Sequence, residues 1–124
     1  DLGEHIKKLC DAPLQNYTGR TTLSELTRLL VKSQILISNE TGTAHIASAV
    51  GTPTVCILGG GHFGRFAPYP ELSGGINNLK VVYYKMPCYG CNWECVYHIK
   101  DEDPAPCISN ISVDAVWNEV KHLL

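Results

Sequence analysis

Two short apolar runs, with a segment of small residues between them, dominate the middle of the chain. Residues 35–37 and 54–58 are apolar and rich in β-branched side chains, a pattern that predicts two buried strands. Residues 44–50 are almost uniformly small, and Gly51 and Pro53 follow, which predicts a helix that ends there. The order strand, helix, strand is that of a βαβ unit, so we expect parallel strands joined by a right-handed crossover.

Two stretches before this unit predict helices. Leu2, Ile6 and Leu9 recur at helical spacing, and their helix is expected to end before residues 11–13. A second helix begins at Thr22 and Glu25, which have capping-box spacing: the Thr hydroxyl and the Glu carboxylate satisfy each other's backbone amides. This helix is expected to run to Lys32 or Ser33. Its predicted buried face consists of four leucines, Leu23, Leu26, Leu29 and Leu30.

Further elements follow the central unit. Residues 79–84 predict a third strand, and Ser112, with Asp114 in the first turn, predicts the start of a helix over residues 112–124. The predicted inner face of that helix consists of Val113, Val116, Trp117, Val120 and Leu124. The alternation of helices and strands predicts the α/β class, with a Rossmann-like parallel sheet and flanking helices.

Length and charge narrow the classes of protein. The 124 residues are enough for one domain with a hydrophobic core and too few for two full domains. The net charge of -2, with basic and acidic residues mixed, argues against nucleic acid as a partner. No apolar run approaches the length of a bilayer span, and no signal peptide is recognisable. Because the chain starts at Asp1 in what looks like a helix already under way, we expect residues 1–124 to be a partial domain of a longer protein.

The polar turn at residues 38–45 is the first candidate for chemistry, because ligands of open parallel sheets bind beyond the carboxyl ends of the strands. Gly42 is expected to let the backbone turn sharply, and the amides after it form a helix start with about half a positive charge. Such a start suits a phosphate or pyrophosphate, with Thr41 and Thr43 as hydroxyl donors. The alternative, a turn whose hydroxyls only cap the helix, stays open from the residues alone.

Side chains near this turn suggest more specific contacts. Glu40 would repel a bound phosphate, so its carboxylate is expected to accept hydrogen bonds from sugar hydroxyls or to orient a neighbour. His45 lies in the first helical turn, where a lone histidine is more often structural than chemical. The loop at residues 59–70, rich in glycine and proline, carries His62 and Arg65. It is either a flexible connection or a ligand loop at the carboxyl end of a strand.

Four of the six cysteines are clustered in a loop at residues 86–110: Cys88, Cys91, Cys95 and Cys107. Four thiolates can hold a tetrahedral zinc ion, and a C-x2-C pair is the usual first half of such a site, although the second half here is irregular. Free or partly paired thiols that pack the loop, and a disulfide, are the alternatives. Clustered cysteines in an α/β domain favour a reducing compartment, so we expect the protein in the cytoplasm.

Three motifs of the chain occur in the same order in a known family. Residues 19–26 are similar to the pattern G-K-T-S-L-x-E-L, and residues 40–53 to D-T-G-x-x-H-x-A-A-A-x-G-x-P. A glycine-containing loop that ends in P-Y follows at residues 59–69. Together these motifs resemble the carboxyl-terminal half of glycosyltransferase family 9, the heptosyltransferases that build lipopolysaccharide cores. Some members also carry a similar cysteine loop.

The resemblance implies a GT-B enzyme, in which the second of two Rossmann-like domains holds most of the nucleotide-sugar donor. The D-T-G turn of the family meets the diphosphate and the sugar, a role that falls here to Glu40, Thr41 and Gly42, and the family's histidine corresponds to His45. Glu40 stands where the family has Asp, which moves the carboxylate outward by one methylene. The predicted donor site consists of Glu40, Thr41, Gly42, Thr43, His45, Gly59, Gly60, Gly61, His62 and Arg65.

The function implied by the resemblance is that of the donor-binding domain of an inverting, metal-independent glycosyltransferase. It would move a sugar from a nucleotide diphosphate sugar, ADP-heptose or similar, to lipopolysaccharide or another surface glycan. The general base and the glycan or glycolipid acceptor are expected on the missing first domain, and the enzyme in the cytoplasm or at the inner face of the inner membrane. No cofactor is expected in the transfer itself, and a structural zinc at the cysteines is one of the alternatives left open above. The alternatives are a zinc-binding four-cysteine interaction module and a nucleotide-sugar epimerase of the same architecture.

Overall fold

The computed structural model describes residues 2–70, 78–100 and 103–124. Its elements in chain order are α1 (Leu2–Leu9), α2 (Leu23–Lys32), β1 (Leu36–Asn39), α3 (Gly42–Ala49), β2 (Thr54–Ile57), β3 (Leu79–Val82), α4 (Pro106–Ser109) and α5 (Val113–Leu123). Asp1 and residues 101–102 of the predicted cysteine loop lie outside the described residues. Within those three ranges no helix is both long and apolar enough to cross a bilayer.

Within the described residues, three parallel strands form a sheet in the order β1-β2-β3. Asn39, Ile57 and Val82 are paired at the ends of the strands, so all three strands end at the same edge. This arrangement confirms the predicted α/β class and the Rossmann-like parallel sheet with flanking helices. The third strand ends at Val82, before its predicted end at residue 84.

Helix α3 covers one face of the sheet and lies close to it because its inward positions are small. Ala44 and Ala47 have no exposed surface. The buried cluster on this face consists of Ala44, Cys56, Leu58, Ala67 and Leu79. Helix α2 packs against α3, and the buried Thr52 hydroxyl donates to the Leu30 carbonyl oxygen at 2.8 Å. The position of α3 on the sheet is therefore fixed from both sides.

Helix α5 covers the opposite face of the sheet. Val120 packs there in a buried cluster with Val55 and Val82. The helix starts at its predicted cap, because the Ser112 hydroxyl accepts a hydrogen bond from the Ala115 amide at 3.1 Å. The domain is thus a three-layer arrangement with the sheet in the middle.

The predicted capping box at the start of α2 is confirmed by both of its hydrogen bonds. The Glu25 amide donates to Oγ1 of Thr22 at 3.3 Å, and the Thr22 amide donates to Oε2 of Glu25 at 2.8 Å. The amide and then the hydroxyl of Thr22 stabilise the carboxylate, and they lower the pKa of Glu25.

The predicted buried faces of the outer helices are wrong in their extent. Leu30 is buried on α2 and Val120 on α5, whereas Leu23 is 67% exposed and Trp117 is 53% exposed. Other residues of the predicted apolar faces are also exposed: Leu2, Ile6, Leu9, Val113 and Leu124. Helical periodicity identifies the apolar face, but a sheet of three strands covers only a part of that face.

Candidate functional site

The turn between β1 and α3 is made at Glu40 and Thr41 rather than at Gly42. Thr41 is the N-cap of α3 and has an extended backbone, with φ -142° and ψ 169°. Gly42 is already the first residue of the helix, and its φ lies outside the left-handed region that favours glycine. The prediction that Gly42 provides the sharp turn is therefore wrong, and what a glycine offers here is the space beside its backbone.

The amino end of α3 is open at the surface. A Cβ atom built on Gly42 would meet no heavy atom within 4 Å, and both Thr41 and Gly42 are exposed. The Thr41 side chain makes no capping hydrogen bond, whereas Thr22 and Ser112 both cap their helices. The first amides of α3, which carry partial positive charge, therefore face an accessible surface.

Glu40, His45 and Tyr69 form a chain of hydrogen bonds beside this helix start. Nε2 of His45 lies 3.2 Å from Oε1 of Glu40, and Nδ1 of His45 lies 2.6 Å from the Tyr69 hydroxyl. The side chains of His45 and Glu40 are 33% and 16% exposed, so both reach the surface. The predicted site does not include Tyr69, and the signal that marks it in the sequence is the P-Y ending of the glycine loop.

Cys56 of β2 is fully buried and lies close enough to Glu40 to respond to its charge. Burial of the thiol, and to a smaller extent the negative charge of Glu40, raise the pKa of Cys56 from 9.0 to about 11. At neutral pH Cys56 is therefore an uncharged thiol, and its role is to fill the core on the α3 face of the sheet.

The glycine loop after β2 is covered by the rings of the cysteine loop. A Cβ atom on Gly59 would lie 2.6 Å from the Trp93 ring, and one on Gly61 would lie 2.4 Å from it. A Cβ atom on Gly60 would lie 2.4 Å from the Tyr89 ring. These glycines are buried, and the space that their missing side chains leave is filled by aromatic rings. Their contact with a donor stays a prediction.

Hydrogen bonds join the same two loops. The Gly90 amide donates to the Gly60 carbonyl oxygen at 2.8 Å, and the Asn92 amide donates to the Gly61 carbonyl oxygen at 2.9 Å. Nε2 of His62 lies 2.7 Å from Oδ1 of Asn92, so the cysteine loop also holds this predicted site residue. Arg65, further along the loop, is exposed, and its guanidinium lies 5.1 Å from the centre of the Phe66 ring.

The four predicted metal ligands, Cys88, Cys91, Cys95 and Cys107, line one small cavity together with Gly60. Helix α4, which forms within the predicted irregular loop, buries Cys107, and the Gly60 amide donates to its Sγ at 3.4 Å. All four side chains are free thiols. Over residues 2–70, 78–100 and 103–124, no three His, Cys, Asp or Glu side chains are arranged to hold a metal ion. As placed, the thiols do not fit a zinc site, and the structural zinc stays a prediction.

Larger cavities lie away from the predicted donor residues, and two of them border the central unit or the helix before it. One, of about 260 Å³, is lined by residues of α2 and the segment before it, including Arg20 and Arg28. The other, of about 360 Å³, lies between β1, β2 and α5 and is lined by Ile37 and Trp117 among others. Neither is lined by a predicted donor residue. The turn at Thr41 and the start of α3 lie instead on an open surface.

Comparison with known proteins places the chain in a family. A model of glycosyltransferase family 9 (heptosyltransferase) matches residues 2–95, which include the turn and the glycine loop. Over 77 residues the chain is 34% identical to the lipopolysaccharide core heptosyltransferase OpsX of Haemophilus influenzae, and this match covers 62% of the chain and 22% of that protein. The matched part is thus about a fifth of the relative's length. No solved structure matches the chain significantly. The chain belongs to glycosyltransferase family 9, the heptosyltransferase family.

Proposed function

We propose that this chain is the donor-binding domain of an inverting glycosyltransferase of GT-B architecture. Its donor would be a nucleotide diphosphate sugar, ADP-heptose or similar, and the acceptor would be lipopolysaccharide or another surface glycan. Membership of family 9 supports the reaction class. The name of the Haemophilus influenzae relative supports heptose as the transferred sugar and the lipopolysaccharide core as the acceptor, and it is consistent with a location in the cytoplasm or at the inner face of the inner membrane.

The observation that carries the proposal is the open amino end of α3 at the carboxyl edge of the sheet. A diphosphate placed there would accept hydrogen bonds from the first amides of the helix and would interact favourably with their partial positive charge. Gly42 would let the phosphate oxygens approach the backbone closely, because no side chain occupies that space. The exposed Arg65 on the neighbouring loop would add a positive charge, and Glu40 would accept hydrogen bonds from the sugar hydroxyls.

The proposed chemistry assigns this domain to the leaving group. In an inverting transfer the acceptor oxygen attacks the anomeric carbon opposite the diphosphate, and negative charge develops on the diphosphate as it departs. The start of α3 would stabilise that charge without a metal ion. We place the general base that takes the proton of the acceptor on the first domain of the GT-B architecture. The chain alone is therefore expected to bind nucleotide weakly and to transfer no sugar.

Replacement of Gly42 with valine tests the site. The new side chain would stand where the phosphate approaches the helix, so we expect the affinity for ADP to fall at least about tenfold. The fold should survive, because a Cβ atom at Gly42 meets no heavy atom within 4 Å. Titration calorimetry with ADP on the original chain and on Gly42→Val measures the effect, and circular dichroism checks the fold.

Leu23→Val is the matched control, because it places the same residue at the first position of α2, whose amino end is capped by Thr22. We expect this variant to bind ADP within about twofold of the original chain. Equal affinities of the original chain and Gly42→Val would rule out the proposed diphosphate site. Sugar transfer by the chain alone would overturn the two-domain mechanism.

A further inference from the structure

Tyr69 is separated from His45 by 24 positions in the chain, yet the two side chains are in direct contact. The Tyr69 hydroxyl lies 2.6 Å from Nδ1 of His45, and the ring centroids are 5.7 Å apart with the planes tilted by 39°. The Tyr69 ring packs against the buried cluster that includes Ala44 and Cys56. The core therefore holds the ring, and with it the hydroxyl, in place.

The two hydrogen bonds of His45 fix the position of its proton. Glu40 and Tyr69 favour the same tautomer of His45. A carboxylate only accepts hydrogen bonds, so the bond to Oε1 needs a proton on Nε2 of His45. In the neutral ring Nδ1 then has a lone pair, and it accepts the proton of the Tyr69 hydroxyl. The direction of donation runs from Tyr69 to His45 and from His45 to Glu40. In this series Tyr69 donates, His45 accepts and donates, and Glu40 accepts.

We propose that Tyr69 is a positioning residue of the donor site, which fixes the tautomer of His45 and thereby the orientation of the Glu40 carboxylate toward the donor sugar. This inference rests on the proposed function. It concerns how the sugar is recognised, because the diphosphate would bind at the amides of α3 and the sugar hydroxyls at the carboxylate.

The Glu40 carboxylate needs to be held by His45 because the side chain at position 40 is longer than in the family motif. A glutamate has one more rotatable bond than the aspartate of the family motif, so it loses more conformational freedom when it binds a ligand. The bond to Nε2 of His45 holds Oε1 of Glu40 before the sugar arrives, which reduces this entropic cost. Oε2 lies outside the hydrogen-bonded chain and is the atom that we assign to the sugar hydroxyls.

The tautomer of His45 gives the first test, and it needs no ligand. Nitrogen NMR of the chain labelled with ¹⁵N-histidine distinguishes a protonated from an unprotonated ring nitrogen. In the original chain we expect His45 with a proton on Nε2. In Tyr69→Phe, which keeps the packed ring and removes only the hydroxyl, we expect a measurable fraction with the proton on Nδ1. An unchanged tautomer in Tyr69→Phe would overturn the inference.

Binding gives the second test, with ADP and ADP-heptose as probes in titration calorimetry. We expect Tyr69→Phe to bind ADP-heptose about three- to tenfold more weakly than the original chain and to bind ADP within about twofold. The variant loses the hydrogen bond from the Tyr69 hydroxyl to His45, so Glu40, the proposed partner of the sugar, is held less firmly. Equal changes for the two probes, or no change, would contradict a role in sugar recognition.

The control variant is Tyr17→Phe, which removes the hydroxyl of an exposed tyrosine that donates to the Gln15 side chain. It should change neither the His45 tautomer nor the affinity for either probe. If the original chain binds neither ADP nor ADP-heptose, the proposed function fails, whereas the tautomer measurement still decides whether Tyr69 orients His45.

Discussion

Two glycine-containing turns leave neighbouring strands at the same edge of the sheet, and they differ in what surrounds them. After β1, a Cβ atom on Gly42 would meet no heavy atom within 4 Å. After β2, Cβ atoms on Gly60 and Gly61 would each lie 2.4 Å from an aromatic ring, that of Tyr89 or Trp93. The first turn is open, and the second is covered by another part of the chain.

The difference shows that glycine is used for two purposes in one site region. At Gly42 the space beside the backbone is open to a ligand, while at residues 59–61 the same kind of space is filled by aromatic rings. The proposed contact with a diphosphate therefore has its structural support at the first turn. At the glycines of the second turn the structure shows packing against aromatic rings, and their contact with a donor stays a prediction.

The largest expected effect is a difference in reactivity between a buried and an exposed cysteine, which tests the contrast between covered and open parts of the chain. Cys56 in the core has a pKa raised from 9.0 to about 11, mainly by burial, whereas Cys10 is exposed and three thiols of the covering loop are half-buried. At about pH 8 we expect Cys56 to react with iodoacetamide at least about a hundredfold more slowly than Cys10, because burial lowers the thiolate fraction of Cys56 and blocks access to its sulfur. Mass spectrometry of labelled peptides measures each rate.

Two further measurements support this interpretation of the rates. Labelling in urea should remove the difference between Cys56 and Cys10, since unfolding exposes both thiols. Because the folded-state pKa of Cys56 is above its unfolded value, the contribution of Cys56 to the free energy of unfolding should be constant below about pH 9 and should decrease as the pH rises from 9 to about 11. Rapid labelling of Cys56 in the folded chain would contradict the burial. Chelator-dependent labelling of Cys88 would favour the predicted zinc.

The second test adds one methyl group at each of two glycines, Gly61 and Gly42, and compares the changes in the free energy of unfolding. Gly61→Ala should lower the free energy of unfolding by about 1–3 kcal/mol, because the added Cβ atom overpacks against the Trp93 ring. Gly42→Ala should leave it unchanged or raise it by up to about 1 kcal/mol, because the space is open and alanine favours a helix. Urea denaturation of both variants gives the two values.

A double-mutant cycle identifies the cause. In a Trp93→Ala background the ring is gone, so Gly61→Ala should cost less than about 0.5 kcal/mol if the ring is the obstacle. A full cost in that background would show that Gly61 is required for another reason. Similar costs for Gly61→Ala and Gly42→Ala would remove the distinction between the covered and the open turn.

Local patterns were sufficient to predict much of the fold and of the first turn. The strands, the capping box of Thr22 and Glu25, and the position of the turn at a strand end all depend on neighbours in the chain, which a sequence displays. The contact of Tyr69 with His45 joins positions 24 apart, and the rings over Gly60 and Gly61 come from a different loop. Such contacts depend on the folding of irregular loops, and no periodicity encodes them.

The extent of burial was beyond prediction for a related reason. The leucine stripe of α2 predicts the correct side of the helix, yet Leu30 is buried and Leu23 is 67% exposed. The sheet of three strands decides how far each helix is covered, and its width is a property of the whole arrangement. The same holds for Gly42, whose role depends on empty space rather than on a backbone angle.

The last and smallest test concerns two threonines that occupy the same N-cap position. Thr22→Ala should lower the free energy of unfolding by about 1 kcal/mol, because it removes the capping hydrogen bond of α2. The Thr22 amide and then the Thr22 hydroxyl donate to the Glu25 carboxylate and lower its pKa. Thr22→Ala removes only the hydroxyl, so this part of its cost should shrink as the pH falls below the ordinary value of 4.5. Thr41→Ala should cost no more than about 0.3 kcal/mol, because the Thr41 side chain makes no capping bond with α3. Urea denaturation of both variants measures the difference, and equal costs would mean that Thr41 caps α3 in solution and that the amino end of this helix is closed to a diphosphate.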